Sequence, residues 1–527
     1  MIRLAVESVT MASPAIVLAP LAILLAGAAL SASLPEAGLD SPYLVRGLPA
    51  GLILIAALLT LTGSYTYVPV SSFPLGNVSA PLIDLRTDSL ALHWVSLVLL
   101  VSLGVSLTAP VEVLPRVLVA TGLGCVSFFA GGMAALCLAW FVTEAALLLL
   151  EGDSSTRPVM PLPFVLSVAA MLGAVYSSPS DEALVLSQSS LTPRSWSLAI
   201  LAVTFRLRIW PFPGRQIAGP LAALRLAIAA ATGFYVLTEF GGAAAPGYPS
   251  DALVLAVFLG VTFAALYGWS RATPSQGLIW WCSLALSGTL ILQAALSIPP
   301  LATLGPAAAH LVAVLAAHSL AVRLRPSRPL PAWLAPALAV AAVLSLLPWP
   351  LLPFGQALQH LFSLLMGTRP LLALLLAFWL CLPSAGLVLA ALEGAIEPES
   401  ATRRPLVSVA VLLAAAGGLV LGLGFSSRFA EPPSVASPPA TVGAGILALA
   451  LTVLVLGAVA AAWLGVMPRS LGKDETGTGE PWLTWPLRLL ATAARYLDIV
   501  FRFVEGETPL AWSALVGVAI LIAASGT

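Results

Sequence analysis

The sequence predicts an all-α fold, a polytopic bundle of about 14–16 transmembrane helices. Hydrophobic residues make up 59% of the 527-residue chain and charged residues only 9%, whereas soluble domains carry roughly 25% charged residues. The mean hydropathy is +1.01, so water cannot be the main solvent. Apolar runs of spanning length recur along the chain and are separated by Pro, Gly, Ser and charged residues.

The predicted spans follow one another from the first residues to the last. The first group occupies about 14–33, 50–64, 88–109, 114–133, 134–151 and 160–178. The second group occupies about 193–210, 218–240, 252–269, 276–297, 301–322, 332–350, 370–392, 405–425, 441–466 and 508–525. The run near the start is expected to be a retained helix rather than a signal peptide, because further spans follow it.

Composition changes near the end of the chain, and four segments are therefore predicted for the whole chain. Residues 1–469 form the transmembrane bundle, and 470–480 form a solvent loop rich in Gly, Thr and charge. Residues 481–506 interleave arginines and acids with Trp, Leu, Tyr and Phe, a pattern typical of an amphipathic helix lying along the interface. Residues 507–527 form the last spanning helix.

The distribution of arginines predicts the orientation. When loops are assigned alternately to the two faces, the odd-numbered loops carry most of the arginines. By the positive-inside rule these loops are cytoplasmic and both termini lie on the outer face. We therefore expect an integral protein of a prokaryotic inner membrane.

Several classes of function are excluded by what the sequence lacks. The net charge is zero, so no basic field exists to recruit nucleic acid. The cysteines show neither a Cys-x-x-Cys spacing nor nearby histidines, so no iron–sulfur or zinc site is indicated; they are Cys125, Cys137, Cys282 and Cys381. A phosphate-binding glycine loop is absent as well. We expect no cofactor, no metal and no catalytic site of the chain's own.

Asp88 and Glu144 are the two candidates among the acidic residues that lie at or inside apolar runs. Asp88 opens the third run, where an aspartate is also a common helix cap. Glu144 lies inside the fifth run, in Leu-Ala-Trp-Phe-Val-Thr-Glu (138–144). An ionisable side chain at membrane depth costs at least about 2.5–3.5 kcal/mol, so it usually faces a polar interior. Glu144 is therefore a candidate functional carboxylate, or else a residue that merely approaches the interface.

Helix-breaking residues interrupt the apolar pattern between Phe205 and Pro220. Freed backbone groups at membrane depth are tolerated only inside protein or beside water, and discontinuous helices commonly build ion sites. A simple loop between two spans is the alternative. We expect 206–220 to lie within the membrane against 134–151 and 301–322, with Glu144 paired to Arg206 or Arg208. The residues concerned are Arg206, Arg208, Pro211, Pro213, Gly214, Gly219 and Pro220.

Two histidines share one face of the predicted helix at 301–322. His310 and His318 are eight residues apart, which places them on the same side. Histidine titrates near neutrality and can relay protons, although a lone histidine is more often a hydrogen-bonded core residue. His93 and His360 match no pattern of this kind. The predicted charge network or proton path consists of Glu144, Arg206, Arg208, His310 and His318.

These segments resemble the antiporter-like subunits of complex I, membrane-bound hydrogenases, multisubunit cation/proton antiporters and inorganic-carbon uptake complexes. The stretch after Phe205 is similar to the family's Lys-x-x-x-x-Pro-Phe-His…Gly-Pro broken helix, with Arg206 at the lysine. The helix with His310 and His318 is similar to His-Leu-x-x-His-x-x-x-Lys, with His318 at the lysine. The segment ending at Glu144 is similar to the family's Gly-Trp-Glu. The resemblance implies a bundle containing two inverted five-helix repeats, each with a discontinuous helix.

The resemblance also implies a central file of lysines, which this chain lacks. Of its 23 basic residues, all but Lys473 are arginine. Arginine stays charged at any physiological pH, so Arg206 cannot relay a proton. The family's histidine on the following half-helix is replaced by Arg225 or Ile228, depending on a three-residue gap. A proton path is therefore either rebuilt around the histidines or lost.

The leading hypothesis is a membrane subunit of a complex I-type or hydrogenase-type redox-driven complex that contributes to proton or cation translocation with a degenerate lysine relay. Two alternatives share the fold: a non-pumping structural subunit, and a subunit of an inorganic-carbon uptake or cation/proton antiporter complex. A stand-alone secondary transporter is a further class. The expected partners are other membrane subunits and the lipid bilayer, with redox cofactors only in partner subunits.

Overall fold

The computed structural model describes fifteen α-helices and one short β-hairpin. The described residues are 14–33, 42–62, 67–71, 83–86, 89–151, 162–177, 192–209, 220–241, 251–271, 277–296, 303–321, 334–347, 352–393, 405–429 and 455. The first eight helices are α1 Pro14–Ser33, α2 Pro42–Thr62, α3 Ser89–Thr108, α4 Leu114–Val126, α5 Met133–Glu151, α6 Leu162–Tyr176, α7 Pro193–Arg206 and α8 Pro220–Gly241. The others are α9 Asp251–Arg271, α10 Gly277–Leu296, α11 Leu304–Ala321, α12 Leu334–Leu344, α13 Pro353–Thr368, α14 Pro370–Glu393 and α15 Pro405–Phe429.

The prediction of a helical membrane bundle is confirmed, because each predicted apolar run up to 405–425 contains a helix. Within the described residues, four helical segments are long and apolar enough to cross a membrane, and eight shorter apolar helices accompany them. The four are Leu90–Thr108, Val111–Phe129, Leu304–Ala321 and Pro370–Val388. The second of these includes α4 and a 3₁₀ turn at each of its ends, Val111–Val113 and Ser127–Phe129.

A β-hairpin, which the sequence did not predict, lies between α2 and α3. Strand β1 (Tyr67–Ser71) pairs antiparallel with β2 (Ile83–Arg86), and the register shifts between Pro69 and Ser71. Proline has no N–H to give to a ladder, so its place beside the irregularity is the usual one. Strand β2, Ile-Asp-Leu-Arg, does alternate apolar and charged residues, but four residues are too few to predict a strand by themselves, and Pro69 interrupts β1.

Helix α13 was also missed, because it is amphipathic rather than uniformly apolar. Its buried side chains recur with helical spacing, while Gln356 is exposed. The buried ones include Phe354, Leu358, Leu361, Phe362 and Leu365. Proline at the first helical position is a start signal that could have identified it. The predicted orientation assigns successive loops to opposite faces of the membrane. If α13 crosses the membrane, every loop after it lies on the face opposite to the predicted one.

Helix α11 is the central element of the described bundle. All 18 of its residues are buried, and α8, α10, α12, α13 and α15 pack around it. Helix α15 lies closest to it at Gly422, where an added Cβ would stand 2.5 Å from Cβ of Ala313 and 3.0 Å from the Ala309 carbonyl oxygen. The glycine at position 422 thus lets α15 pack closely against α11 of the same chain.

Several predictions fall on residues outside the described ranges. These are Asp88, the break residues Pro211, Pro213, Gly214 and Gly219, and the segments 470–480, 481–506 and 507–527. Pro220 is the first residue of α8. The inverted five-helix repeats remain a prediction.

Candidate functional site

Helix α7 ends at Arg206 in a Schellman arrangement. The Arg208 N–H donates to the Phe205 carbonyl oxygen at 3.0 Å, and the Ile209 N–H donates to the Thr204 carbonyl oxygen at 3.1 Å. These two bonds satisfy carbonyls that the end of a helix leaves without partners. The helix therefore stops inside the protein with its last backbone groups paired.

The residue that turns the chain at this helix end is Arg208, with φ of 57°. This left-handed conformation normally belongs to glycine and costs other residues about 1–2 kcal/mol. The next residue, Ile209, is 3% exposed and sits where a Cβ added to Gly288 would lie 3.4 Å from its Cγ2. The side chain that follows the turn thus packs against α10 at Gly288, while the close approach that requires a glycine there is to Val261 Cγ2, 2.6 Å from the added Cβ.

Glu144 and Arg206 form the buried ion pair that the sequence predicted. Arg206 Nε lies 2.9 Å from Glu144 Oε1, and the two side chains are 0% and 9% exposed. The N–H does not point at the oxygen, so the contact is an ion pair without an aligned hydrogen bond. Opposite charges at this distance offset part of each other's desolvation. The functional role predicted for the two residues is a separate question.

Trp140 completes what we call the arginine site, which consists of Trp140, Glu144 and Arg206. The Arg206 Cζ atom lies 4.0 Å from the centre of the Trp140 ring, a cation–π geometry. The ring is fixed because its Nε1–H donates to Ser167 Oγ at 2.9 Å, and Ser167 in turn donates to the Ala202 carbonyl oxygen at 3.0 Å. The sequence motif contained Trp140 without revealing this role. Its position one turn before Glu144 was the available signal.

His310 on α11 is hydrogen-bonded through both ring nitrogens. The Phe354 N–H donates to Nδ1 at 3.4 Å, and Nε2 lies 2.9 Å from Ser345 Oγ. Ser345 uses its own proton on the Ala342 carbonyl oxygen, so it accepts from an Nε2–H of a neutral imidazole. Phe354 belongs to the first turn of α13, whose N-cap residue makes no side-chain bond. His310 therefore supplies the cap of α13.

His318 is fully buried, and its hydrogen bond to the described part of the chain is made through Nε2. Its Nε2 lies 2.8 Å from the Leu387 carbonyl oxygen on α14, and a carbonyl can only accept, so Nε2 carries the proton. Nδ1 has no hydrogen-bond partner among the described residues. His310 and His318 together are called the histidine site.

The structure brings together some of the predicted residues and separates others. Glu144 and Arg206 are in contact, whereas the bonds of His310 and His318 go to other helices. The two histidines are separated by about 12 Å along α11, with only Ala, Val and Leu between them. His93 lies elsewhere, with its Nε2 2.9 Å from the Leu421 carbonyl oxygen of α15.

Metal binding finds no support in the described part of the chain. It contains no group of three or more His, Cys, Asp or Glu side chains that could hold an ion. The cysteines are free, and three of the four are buried.

The fold is similar to membrane chains of several solved complexes. A chain of the Mrp complex from Dietzia sp. superposes with a TM-score of 0.60 at 17% identity, covering 97% of this chain and 62% of that one. A chain of respiratory complex I from Thermus thermophilus gives 0.53 at 19% identity, covering 77% of this chain and 97% of the other. A chain of the archaeal membrane-bound sulfane sulfur reductase gives 0.55 at 14% identity, covering 97% and 100%.

The sequence comparisons add no further relative, since no protein-family model and no curated protein matches this chain. The chain spans about three fifths of the length of the Mrp chain. At these identities the likeness establishes the fold. This chain therefore shares its fold with membrane chains of these three complexes.

Proposed function

We propose that this chain is an antiporter-like membrane subunit of a multisubunit complex and contributes to proton translocation through α11. The arginine site serves as a fixed charge pair in this proposal. Redox cofactors, where the complex uses them, belong to partner subunits. The likeness to chains of an Mrp complex, respiratory complex I and a sulfane sulfur reductase supports assembly with other membrane subunits.

The observation that carries the proposal is the buried contact between Glu144 and Arg206 at the end of α7. Placing a carboxylate or a guanidinium at membrane depth costs free energy, and such residues usually have a function. They occupy the segments in which the resemblance places the family's glutamate and first lysine. Because a guanidinium keeps its protons, the pair conserves a charge arrangement but cannot pass a proton on.

Proton relay is therefore assigned to the histidine site, and within it to His318. Its Nδ1 is free of hydrogen-bond partners among the described residues, so a proton can be accepted without breaking an existing bond. His310 would first have to give up the Phe354 N–H or reverse its bond to Ser345. Water must cover the interval of about 12 Å between the two rings, since the side chains of α11 do not.

A second candidate is a non-pumping structural subunit, and the hydrogen bonds of the histidines favour it. His310 joins α11 to α12 and α13, while His318 joins it to α14. In this case the imidazoles tie neighbouring helices together, and their titration has no part in function.

One experiment separates assembly from translocation. The protein is isolated with its native partners in mild detergent, the partners are identified, and the complex is reconstituted into vesicles with a proton-sensitive dye inside. We expect other membrane subunits to accompany the chain. Recovery of the chain as a monomer that transports by itself would contradict the proposal.

The two candidates are then separated by His318→Gln. Glutamine can still donate an N–H to the Leu387 carbonyl oxygen but does not titrate in the physiological range. If His318 relays protons, the His318→Gln complex should assemble normally and lose translocation. A structural role predicts normal assembly and normal translocation by the whole complex. His360→Gln is the matched control, because His360 lies on α13 outside the proposed path.

A further inference from the structure

His93 on α3 and His310 on α11 contact the same turn of α15. His93 Nε2 lies 2.9 Å from the carbonyl oxygen of Leu421. The next residue, Gly422, packs on α11, where an added Cβ would stand 3.3 Å from Cα of His310. Only the peptide group between Leu421 and Gly422 joins these two contacts, so His93 Nε2 lies no more than about 11 Å from Cα of His310. The two histidines are therefore neighbours across one turn of α15.

A direct contact between α3 and α11 places the two histidines at the same depth. A Cβ added to Gly104 on α3 would stand 2.5 Å from Cδ1 of Leu320 on α11. His93 precedes Gly104 by 11 residues, and His310 precedes Leu320 by 10, which correspond to about 16 Å and 15 Å of helix axis. The two helices thus run parallel, and His93 lies level with His310.

Exposure distinguishes His93 from the histidines of α11. Its side chain lies in a residue that is 8% exposed, whereas His310 and His318 are both 0% exposed. It belongs to the second turn of α3, which begins at Ser89, so about 6 Å of helix separates it from the end of α3. Of these three histidines, His93 is therefore the one at the edge of the bundle.

The chemistry of the ring is suited to proton transfer at this place. A carbonyl oxygen can only accept, so Nε2 of His93 carries a proton. That bond needs a donor but not a titrating group, and an amide side chain would serve it equally well. Imidazole is the side chain that also exchanges protons with water near neutral pH.

We propose that His93 is the outermost member of the proton relay and exchanges protons between water at the edge of the bundle and the histidine site. A proton taken up by the ring passes through water to the level of His310 and then towards His318. The inference rests on the proposed function and adds the point at which protons enter or leave the path.

The rate of translocation by the reconstituted complex containing His93→Gln tests the proposal. Glutamine keeps an N–H donor for the Leu421 carbonyl oxygen but does not titrate, so we expect normal assembly and a rate lower by about tenfold or more. Free histidine, whose zwitterion does not cross the vesicle membrane, is then added outside or trapped inside. Its imidazole should restore the rate from one of the two sides. His318→Gln should not be restored, because residue 318 is fully buried.

His360→Gln is the matched control and should translocate at the native rate with and without free histidine. An unchanged rate in His93→Gln, together with a loss in His318→Gln, would overturn this inference and leave the proposed function standing. Unchanged rates in both variants would overturn the proposed function itself. A lower rate in His93→Gln that free histidine restores from neither side would assign His93 to packing and overturn the inference. If His93→Gln does not assemble, His93→Asn replaces it, and failure of both amides to assemble would also assign the ring to packing.

Discussion

The arginine site and the histidine site are both buried, yet they stabilise polar groups at depth in different ways. At the arginine site two opposite charges lie 2.9 Å apart beside an aromatic face. At the histidine site the described bonds all go to neutral groups, and three of the four ring nitrogens are occupied. One region is held by fixed charge, and the other by neutral hydrogen bonds between helices.

The difference shows what each region can do chemically. A guanidinium paired with a carboxylate holds its proton, so the arginine site can set an electric field but cannot conduct. A neutral imidazole with a free nitrogen can take up a proton and release it. Of the two sites, the histidine site is therefore the one in which we propose a relay, and its bonds also serve packing.

The largest effect is expected from removing one charge of the arginine site. Arg206→Met removes the positive charge that lies 2.9 Å from the buried Glu144 carboxylate, which should lower the free energy of unfolding by about 3–5 kcal/mol. The double variant Glu144→Gln/Arg206→Met should recover most of that loss, because no charge remains to desolvate. Thermal denaturation in detergent measures both. Equal destabilisation by the single and the double variant would show that the two residues are not coupled.

A smaller loss is expected where α15 crosses α11 near His310. Gly422→Leu would place a side chain against Ala313 and the Ala309 carbonyl, and overpacking of this kind costs about 1–3 kcal/mol. Gly418→Leu is the control, because an added Cβ there meets nothing within 4 Å. The same denaturation assay should show a clear difference between the two variants. Similar stabilities would mean that α15 does not pack on α11 at Gly422.

The hydrogen bond of His318 should contribute a comparable or smaller amount. His318→Phe keeps a ring but leaves the Leu387 carbonyl oxygen without its donor, a loss of about 1–3 kcal/mol. His318→Gln should retain most of the stability. For this reason glutamine, and not phenylalanine, is the substitution that separates relay from packing. A phenylalanine variant as stable as glutamine would remove the structural role from this residue.

The smallest effect concerns the turn after α7. Arg208→Gly and Arg208→Ala remove the same contacts, so their difference isolates the backbone conformation at φ of 57°. The glycine variant should be more stable by about 1 kcal/mol. Chemical denaturation of the two proteins side by side measures it, and equal stability would argue against a left-handed residue at this position.

The ion pair of the arginine site, though not the role of Trp140, could be predicted from sequence because its two charged residues carry a strong local signal. A carboxylate and a guanidinium inside apolar runs demand partners, and few candidates exist. The surroundings of the histidine site could not be predicted in the same way. The partners of His310 and His318 include the first turn of α13 and a backbone carbonyl of α14, and neither has a side-chain signature. Helix α13 itself escaped detection because Gln356, Gln359 and His360 interrupt its apolar pattern.

More of the fold than of the candidate site could be predicted from the sequence, for a related reason. Long apolar runs report the spans directly, so the helices up to α15 were expected with the exception of α13. Short, polar elements such as the hairpin of β1 and β2 have no comparable pattern. The Schellman end of α7 depends on an arginine in a glycine-like conformation, which local preference opposes.

The rate of proton translocation by reconstituted complexes tests the contrast between the two sites most directly. Complexes containing His318→Gln and complexes containing Glu144→Gln/Arg206→Met are compared at equal subunit content. Translocation should be lost with His318→Gln, because the imidazole is the relay. It should be largely retained with Glu144→Gln/Arg206→Met, because the charge pair is fixed. Unchanged translocation with His318→Gln, or complete loss only in the neutral double variant, would contradict it.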